Sequence, residues 1–293
     1  MTNRVEHDYG FKKKIPNHIA KKINQLGTES PVGLQFLPHP DEAISSGVLD
    51  PLQEQGLSQS GIIQKYQYRI LLITSGACAV HCRYCFRRHF PYEQQSILKH
   101  LDTLNQRLNT SPDIHEIILS GGDPLSLKNH QLAKILETIK QHPQITTIRI
   151  HTRIPIVDPK RIDSEFLDMI KKHSDWQWVF VMHINHADEL DDDNAASLKK
   201  LHHLGITLLN QAVLLKNIND SVEALKTLSI ELFKHNILPY YLHQLDPVRG
   251  AMHFEVPIAK GKHLIKTLQS KLPGYLVPKY VCEEPMQPNK TPL

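Results

Sequence analysis

The stretch YRILLITSGACAVHCRYC, residues 68–85, contains three of the four cysteines in this 293-residue chain. Its first part, 68–74, is rich in apolar and β-branched residues, which predicts a buried strand. The thiols of Cys78, Cys82 and Cys85 follow that strand directly, at the spacing C-x3-C-x2-C. Four cysteines are too few for a disulfide framework in a chain of this length. Their clustering therefore indicates metal binding or redox chemistry. The stretch therefore predicts a strand that ends in a metal or cluster site.

The rest of the chain repeats an alternation of strands and helices. The predicted strands are YRILLIT (68–74), HEIILS (115–120), TTIRIHT (146–152), WQWVFVMHI (176–184), ITLLNQAVLL (206–215) and LPYYLHQL (238–245). The clearest amphipathic helices are 127–141 and 222–235. Such alternation predicts an α/β fold with a parallel sheet covered by helices. Six units are too few for a closed eight-stranded barrel, so we predict a partial (β/α)6 barrel, with function at the carboxyl ends of its strands.

The chain is predicted to have three parts. Residues 1–65 read as irregular and form an N-terminal extension that packs on the barrel. Residues 66–256 form the barrel core, and residues 257–293 form a helix followed by a proline-rich tail. The extension contains one basic run, 12–14, which is interpreted as a solvated surface.

Composition limits the class of protein. Hydrophobic residues make up 40% of the chain and charged residues 22%, as in globular proteins. No apolar run approaches the roughly 20 residues of a membrane span, and no apolar segment follows the basic residues of the N-terminus. We therefore predict a cytoplasmic protein without a membrane partner. The net charge of +4 is small, and it fits anionic small molecules as well as nucleic acid.

Three clustered thiols leave two kinds of site open. A structural zinc ion normally takes four ligands, and His81 or His89 could complete such a set, whereas Cys282 is remote in sequence. An iron–sulfur cubane held by three cysteines instead leaves one iron open, and cluster potentials reach about −700 mV. The spacing and its position after the first strand resemble the radical S-adenosylmethionine enzymes. The resemblance implies a [4Fe–4S] cluster whose open iron binds S-adenosyl-L-methionine and a 5′-deoxyadenosyl radical formed from it.

A glycine pair follows the second predicted strand, in SGGDPL (120–125). Gly121 and Gly122, with Asp123 beside them, resemble the glycine motif that contacts the methionyl group in that superfamily. The alternative is an ordinary tight turn, since Gly-Gly-Asp-Pro is also favourable turn chemistry.

Polar residues close three later strands, in HTRIP (151–155), HINH (183–186) and LNQ (209–211). They predict a lined cavity, in which His183 and Gln211 are candidate cofactor-binding residues. Taken alone, His183 is equally explained as a hydrogen-bonded interior side chain.

Longer motifs narrow the family. They are YxYRxLLxxxxxCxxxCxYCFRRHFPY, SGGDPL, RIHTRIPIV, HINHADE, LLNQAVLL, YYLHQLDxVxGAxHF, GYLVPK and a terminal KTPL. In this combination the chain resembles the lysine 2,3-aminomutase family, from about residue 50 onward. The bacterial branch that makes β-lysine for modifying elongation factor P is the most similar. Members of the family also use pyridoxal 5′-phosphate, so the resemblance adds that cofactor.

The resemblance assigns residues to pyridoxal phosphate. Lys290 matches the catalytic lysine that bonds covalently to the cofactor, although without the family it would read as a solvated terminal lysine. Arg69 and Tyr66 match the positions that bind its phosphate. Lys65 stands where some relatives have arginine, which implies a weaker phosphate contact there.

The resemblance also assigns the substrate site. Arg87 matches the residue that pairs with the substrate carboxylate, for which a guanidinium fork is suited, and the adjacent Arg88 is easily mistaken for it. Asp246 and Glu283 match the two acids that hold the ε-ammonium group of lysine. Two carboxylates would reject glutamate, and apolar amino acids would leave them unpaired.

The resemblance implies an isomerase that converts L-lysine to β-lysine. It also implies a reductant such as flavodoxin or ferredoxin, a functional link to elongation factor P and its lysyl ligase, and no nucleic-acid partner. The alternatives are a catabolic lysine 2,3-aminomutase and a radical S-adenosylmethionine enzyme that modifies RNA or protein without pyridoxal phosphate. A non-enzymatic iron–sulfur or zinc-binding interaction module is the alternative from another class.

Overall fold

The computed structural model describes residues 9–57, 60–92, 95–285, 287 and 289–293. Within them, nine strands form one sheet whose order follows the chain. The strands are β1 (Ile62–Tyr66), β2 (Arg69–Ser75), β3 (Glu116–Gly121), β4 (Thr147–Thr152), β5 (Gln177–His183), β6 (Thr207–Val213), β7 (Leu238–His243), β8 (Lys279–Cys282) and β9 (Thr291–Pro292). The helices are α1 (Asn17–Leu26), α2 (Pro31–Phe36), α3 (Glu54–Leu57), α4 (Leu101–Asn109), α5 (Asn129–Lys140), α6 (Ile154–Val157), α7 (Ser164–Lys172), α8 (Asp192–His203), α9 (Val222–Lys234) and α10 (Ile258–Gln269).

The six predicted strands are confirmed as β2 to β7, and they run parallel. At least one helix lies between each of them and the next strand, so the described part of the chain contains six β/α units. Antiparallel strands stand at both edges, where β1 pairs with β2 and β9 pairs with β8. Among the described residues the two edge strands do not pair with each other, and the predicted partial barrel is therefore confirmed.

Two segments differ from the prediction. For the described part of residues 1–65 the expected irregular structure is wrong, because α1 places Ile19 and Ile23 one helical turn apart on a buried stripe. In the tail, β8 adds a seventh parallel strand beside β7. Its four residues are too few to show a strand period in the sequence. The predicted boundary after residue 65 lies within β1, and the division into three parts stays a prediction.

The sheet is buried between the outer helices and an inner cavity. In β3 every residue after Glu116 is buried, as expected for a parallel strand that is covered on both faces. The carboxyl ends of β2 to β7 come together at one end of the barrel, and the loops that follow them carry the predicted site. Over the described residues, every helix is too short or too polar to cross a bilayer.

The N-terminal helices pack near the cysteine loop. Their buried apolar side chains form a cluster with those of Val80 and Val157, and the members from α1 and α2 are Ile19, Ile23, Val32 and Phe36. Val80 lies between two of the clustered cysteines, so this packing joins the N-terminal segment to the loop that carries the thiols.

Candidate active site

One cavity of about 300 Å³ lies inside the barrel at the carboxyl ends of the strands. Every residue that the sequence or the resemblance assigned to the cluster, the other cofactors or the substrate lines it. They are Tyr66, Arg69, Cys78, Cys82, Cys85, Arg87, Gly121, Gly122, Asp123, His183, Gln211, Asp246, Glu283 and Lys290. The fold therefore brings residues from seven strands or their loops to one place, which sequence separation alone does not show.

Three thiols form one wall of the cavity. In the part of the chain that the structure describes, Cys78, Cys82 and Cys85 are free and half-buried. Burial and the charges of the neighbouring thiolates raise the pKa of the Cys78 thiol, and burial raises that of Cys85 to about 11. Arg153 donates a hydrogen bond to Cys82 Sγ at 3.1 Å, which places a buried cation beside the thiols. The donor set suits an iron–sulfur cluster, because all three thiols face one space beside a buried cation.

The histidines that could have completed a zinc site have other partners. His81 Nδ1 donates to the Lys12 carbonyl at 2.6 Å, and His89 Nε2 lies 3.3 Å from the Arg249 carbonyl oxygen. Within the described ranges, no three His, Cys, Asp or Glu side chains are arranged to hold a single metal ion. The arrangement therefore favours the cluster over the closed zinc site.

The glycine pair lies against the cysteine loop. Gly121 has a φ of +116°, and a Cβ atom there would lie 2.7 Å from the Ser75 carbonyl oxygen. At Gly122 a Cβ atom would lie 2.3 Å from the Ala77 carbonyl oxygen. Only glycine fits such contacts, so these residues let the loop after β3 approach the loop after β2.

Asp123 is occupied by donors of its own chain. Its carboxylate accepts hydrogen bonds from Thr152 Oγ1 at 2.8 Å, from the Arg153 backbone at 2.7 Å and from the Leu125 backbone at 3.0 Å. Burial raises its pKa above the usual value, although these hydrogen bonds favour the carboxylate. Asp123 thus links the loop after β3 to the end of β4, and its carboxylate oxygens accept hydrogen bonds from residues of this chain.

His183 is paired inside the protein. Its Nε2 lies 2.9 Å from the Tyr84 hydroxyl, and the two rings stack with centroids 5.6 Å apart. Burial holds the pKa of His183 well below its usual range, so the imidazole is neutral. Gln211 lines the same cavity from β6.

Four buried polar atoms of residues that line the cavity lack a hydrogen-bond partner among the described residues. They are His151 Nε2, His243 Nε2, Arg69 Nε and Arg153 Nε. A buried unpaired donor or acceptor costs about 1–3 kcal/mol, so these atoms indicate a polar ligand. Burial and the Lys290 ammonium group lower the pKa of His243 to about 3, which keeps its ring neutral.

Glu283 holds two cations from distant parts of the chain. Its Oε2 lies 2.5 Å from Lys290 Nζ, and its Oε1 lies 3.0 Å from Lys65 Nζ. Burial opposes the charge of Glu283, but the two ammonium groups outweigh it and lower the carboxyl pKa to about 2. Asp246 lies close enough to Glu283 to interact with its charge. Burial and this charge raise the pKa of Asp246 to about 7. The two predicted acids and the predicted lysine thus form one cluster.

Arg69 and Arg87 present guanidinium groups to the same space. The Arg69 guanidinium carbon lies 3.6 Å from the centroid of the Tyr66 ring. Arg87 is held by Glu54, with Nε–Oε2 at 2.6 Å and Nη2–Oε1 at 2.9 Å. Its Nη1 has only long contacts of 3.3 and 3.4 Å, which leaves that edge for a further carboxylate. Arg88 instead binds Glu42 and does not line the cavity.

Sequence reasoning missed four residues of this site, namely Glu54, His151, Arg153 and His243. His151 and Arg153 lie in the polar HTRIP segment, and His243 ends the last predicted strand, so polar residues at strand ends were the available signal. Glu54 had none, because it comes from the N-terminal segment that was expected to be irregular.

Comparison with known proteins agrees with this geometry. Residues 72–228 match the Radical SAM superfamily. L-lysine 2,3-aminomutase of Haemophilus influenzae is 41% identical over 285 residues, which cover 96% of this chain and 84% of that protein. The Escherichia coli protein of the same name is 41% identical over 286 residues, which cover 97% of this chain and 83% of that one.

A solved structure supports the fold alone. The radical SAM methyltransferase from Sphaerobacter thermophilus superposes with a TM-score of 0.52 at 15% identity, over 75% of this chain and 68% of that one. The match to the two aminomutases extends over nearly the whole chain, whereas the barrel is shared more widely. The chain therefore belongs to the L-lysine 2,3-aminomutase family, within the Radical SAM superfamily.

Proposed function

We propose that this protein is an isomerase that moves the 2-amino group of L-lysine to carbon 3 and releases β-lysine. Its cofactors are a [4Fe–4S] cluster, S-adenosyl-L-methionine and pyridoxal 5′-phosphate. The observation that carries the proposal is one cavity in which three thiols, a lysine, a carboxylate-binding arginine and two acids meet. Family membership supports the reaction class, and the residue roles below are part of the proposal.

The thiols of Cys78, Cys82 and Cys85 would hold three irons of the cluster. When bound, the cluster and S-adenosyl-L-methionine supply a radical that removes a hydrogen atom from carbon 3, and pyridoxal phosphate activates the migrating nitrogen. The chain supports the reduced cluster with the Arg153 guanidinium at Cys82, because a buried cation offsets added negative charge. The barrel walls exclude water and oxidants from the radical.

Lys290 would bind pyridoxal phosphate covalently, with Arg69 and Tyr66 at the phosphate. The unpaired Nε of Arg69 is a donor ready for a phosphate oxygen. Glu283 pairs with Lys290 Nζ, and an amine bonds to a carbonyl carbon only in its neutral form. Burial and the Lys290 charge keep the His243 ring neutral, so His243 adds no further cation beside Lys290.

Substrate selection would rest on charges at the two ends of lysine. The open edge of Arg87 fits the α-carboxylate, and Glu54 holds the other edge in place. Asp246 and Glu283 fit the ε-ammonium group, which would compete with Lys65 and Lys290 for Glu283. Glutamate would place a carboxylate beside these acids, and like charges there disfavour it.

Elongation factor P is the proposed destination of the product. The motifs that resemble the β-lysine-making branch support this link, together with a reductant of the flavodoxin or ferredoxin class. Deleting the gene in its host is expected to remove β-lysine from elongation factor P, detected as a mass change of the modified lysine peptide. If the deletion leaves the mass of this peptide unchanged, the enzyme does not supply β-lysine for elongation factor P, and a catabolic role is favoured.

The reaction is tested under anaerobic conditions. The protein is reconstituted with iron, sulfide and pyridoxal phosphate, and then given S-adenosyl-L-methionine, dithionite and L-lysine. We expect β-lysine by mass-resolved chromatography, and none from L-glutamate or without pyridoxal phosphate. Formation of 5′-deoxyadenosine without β-lysine would contradict the proposed substrate and favour an enzyme that modifies RNA or protein.

The ionisation of Asp246 predicts a pH dependence. Burial and Glu283 raise its pKa to about 7, with Glu54 adding to the increase and Lys290 and Lys65 opposing it. The carboxylate binds the substrate ammonium group only above that pKa, so kcat/KM for lysine is expected to fall about tenfold per pH unit below 7. A pH profile of kcat/KM checks this, and a flat profile between about pH 6 and 8 would contradict it.

A further inference from the structure

The N-terminal segment 11–14 runs along the cysteine loop and is hydrogen-bonded to it. Lys14 Nζ donates to the Cys78 carbonyl at 2.6 Å, and the His81 backbone amide donates to the Lys14 carbonyl at 3.0 Å. His81 Nδ1 donates to the Lys12 carbonyl at 2.6 Å. These contacts begin at the first cysteine of the motif and continue to its middle. The basic run is therefore not simply a solvated surface, because two of its members contact this loop.

Ring contacts strengthen this attachment. Phe11 stacks on His81, with ring centroids 5.1 Å apart and planes inclined by 21°. The Arg88 guanidinium lies 4.5 Å from the centroid of the Phe11 ring, within the range of a cation–π interaction. Arg83 Nη1 donates to the Phe11 carbonyl at 2.7 Å. One aromatic residue of the segment thus touches three residues on the cysteine loop.

A buried carboxylate from the same N-terminal region completes the contact. Arg83, between Cys82 and Cys85, is fully buried and gives Glu42 two hydrogen bonds, at 2.7 and 2.5 Å. Arg88 gives Glu42 a third at 2.9 Å. A buried guanidinium without its carboxylate is strongly unfavourable, so this pair holds the second half of the motif in one conformation.

The cysteine loop depends on these contacts. From residue 76 to residue 91 the structure has turns and bends without helix or strand, so regular hydrogen bonding does not order the three thiols. Cluster insertion requires all three thiols at once, and ligands that are already ordered lose less entropy on binding. The contacts from Phe11, Lys12, Lys14 and Glu42 supply that order from outside the barrel.

We propose that segment 11–14 together with Glu42, here called the N-terminal strap, positions the three cluster-binding thiols and slows loss of the cluster. Phe11, Lys14 and Glu42 are positioning residues, because they act through the loop and touch no substrate. The proposal rests on the proposed function only in that these thiols hold a cluster.

The first test does not need a cluster. In the full-length apoprotein, alkylation of each cysteine is followed by mass spectrometry in the parent protein and in the variants Glu42→Gln and Phe11→Ala. In Glu42→Gln we expect alkylation of Cys78, Cys82 and Cys85 to become about tenfold faster, the scale of losing one charge-assisted hydrogen bond. In Phe11→Ala we expect it to become about threefold faster, because the variant loses the ring stack and the cation–π contact but keeps the backbone carbonyl that Arg83 binds. Cys282 lies outside the strap contacts and serves as the internal reference.

The second test uses the reconstituted protein. On exposure to air or an iron chelator, Glu42→Gln is expected to lose the visible absorbance of the cluster about tenfold faster than the parent, and Phe11→Ala about threefold faster. Glu116→Gln is the matched control, because it removes a carboxylate that pairs with Arg149 outside the strap, and its rate is expected to match the parent. If Glu42→Gln does not fold, Phe11→Ala still tests the strap.

Unchanged rates of cysteine alkylation and of cluster loss in Phe11→Ala would overturn the proposed role of the N-terminal strap. Equal acceleration at Cys282 would overturn it as well, because that would indicate general loosening of the fold. If the parent protein takes up no cluster, the proposed function fails instead, while the alkylation pattern still decides the role of the strap.

Discussion

Lys290→Ala is expected to lower β-lysine formation by about 10³-fold or more, which is the scale of removing a covalent catalytic group. The reason is that Lys290 is the amine in the cavity that also faces Glu283 and the unpaired atoms of His151 and His243. The variant should lose the absorbance of covalently bound pyridoxal phosphate and keep its iron and sulfide content. Absorbance spectroscopy, borohydride trapping with peptide mass analysis and an iron assay measure the three quantities.

Two further variants make this result specific. Lys279→Ala removes an exposed lysine from β8 and should leave all three quantities unchanged. Cys82→Ala should have the reciprocal effect, losing the cluster and keeping the pyridoxal phosphate absorbance. A Lys290→Ala protein with the normal covalent adduct would assign that role to another lysine, and Lys65, which shares Glu283, would be the next candidate.

Asp246→Asn is expected to lower kcat/KM for lysine by about 10²–10³-fold, since removing one partner of a buried ion pair costs about 3–5 kcal/mol. The preference for lysine over its isostere norleucine, which lacks the ε-ammonium group, should shrink by a similar factor. Binding of both cofactors should be unchanged, because the thiols and Lys290 are intact. Steady-state kinetics with the two amino acids, beside cofactor titrations, separate these effects.

Loss of stability does not explain that expected result. Burial opposes the ionisation of Asp246 in the ligand-free fold, with a pKa of about 7 against an ordinary value near 4, so removing the charge should not lower Tm at neutral pH. Asp168→Asn, at an exposed position on α7, is the control and should behave as the parent protein. An Asp246→Asn protein with unchanged kinetics would refute the ammonium-binding role.

The barrel could be read from local patterns. Apolar strand runs and helical periods predicted β2 to β7, as the structure confirms. The thiol spacing predicted a cluster site on the loop after β2, and the three thiols there line the cavity. The strand β8 and the helix α2 could not be predicted this way, because only four and six residues carry their patterns. Helix α1 lies in a segment that was interpreted as irregular, and Ile19 and Ile23 carry its buried apolar stripe. For Lys290 local pattern favoured a solvated side chain, and only the resemblance to the family nominated it.

The six-unit barrel and the cysteine motif follow from local sequence patterns, and the resemblance to the family adds the residues assigned to the cavity. The partners of those residues follow from the folded structure. Glu283 pairs with Lys65, 218 residues away, and Arg87 pairs with Glu54, 33 residues away. The apolar periods of helices and strands involve residues that are close in the chain, so the spacing of apolar residues in the sequence is enough to detect them. Ion pairs inside the barrel arise between residues that meet only when the sheet curls and the N-terminal segment packs against it, so their charges and pKa values depend on the folded chain.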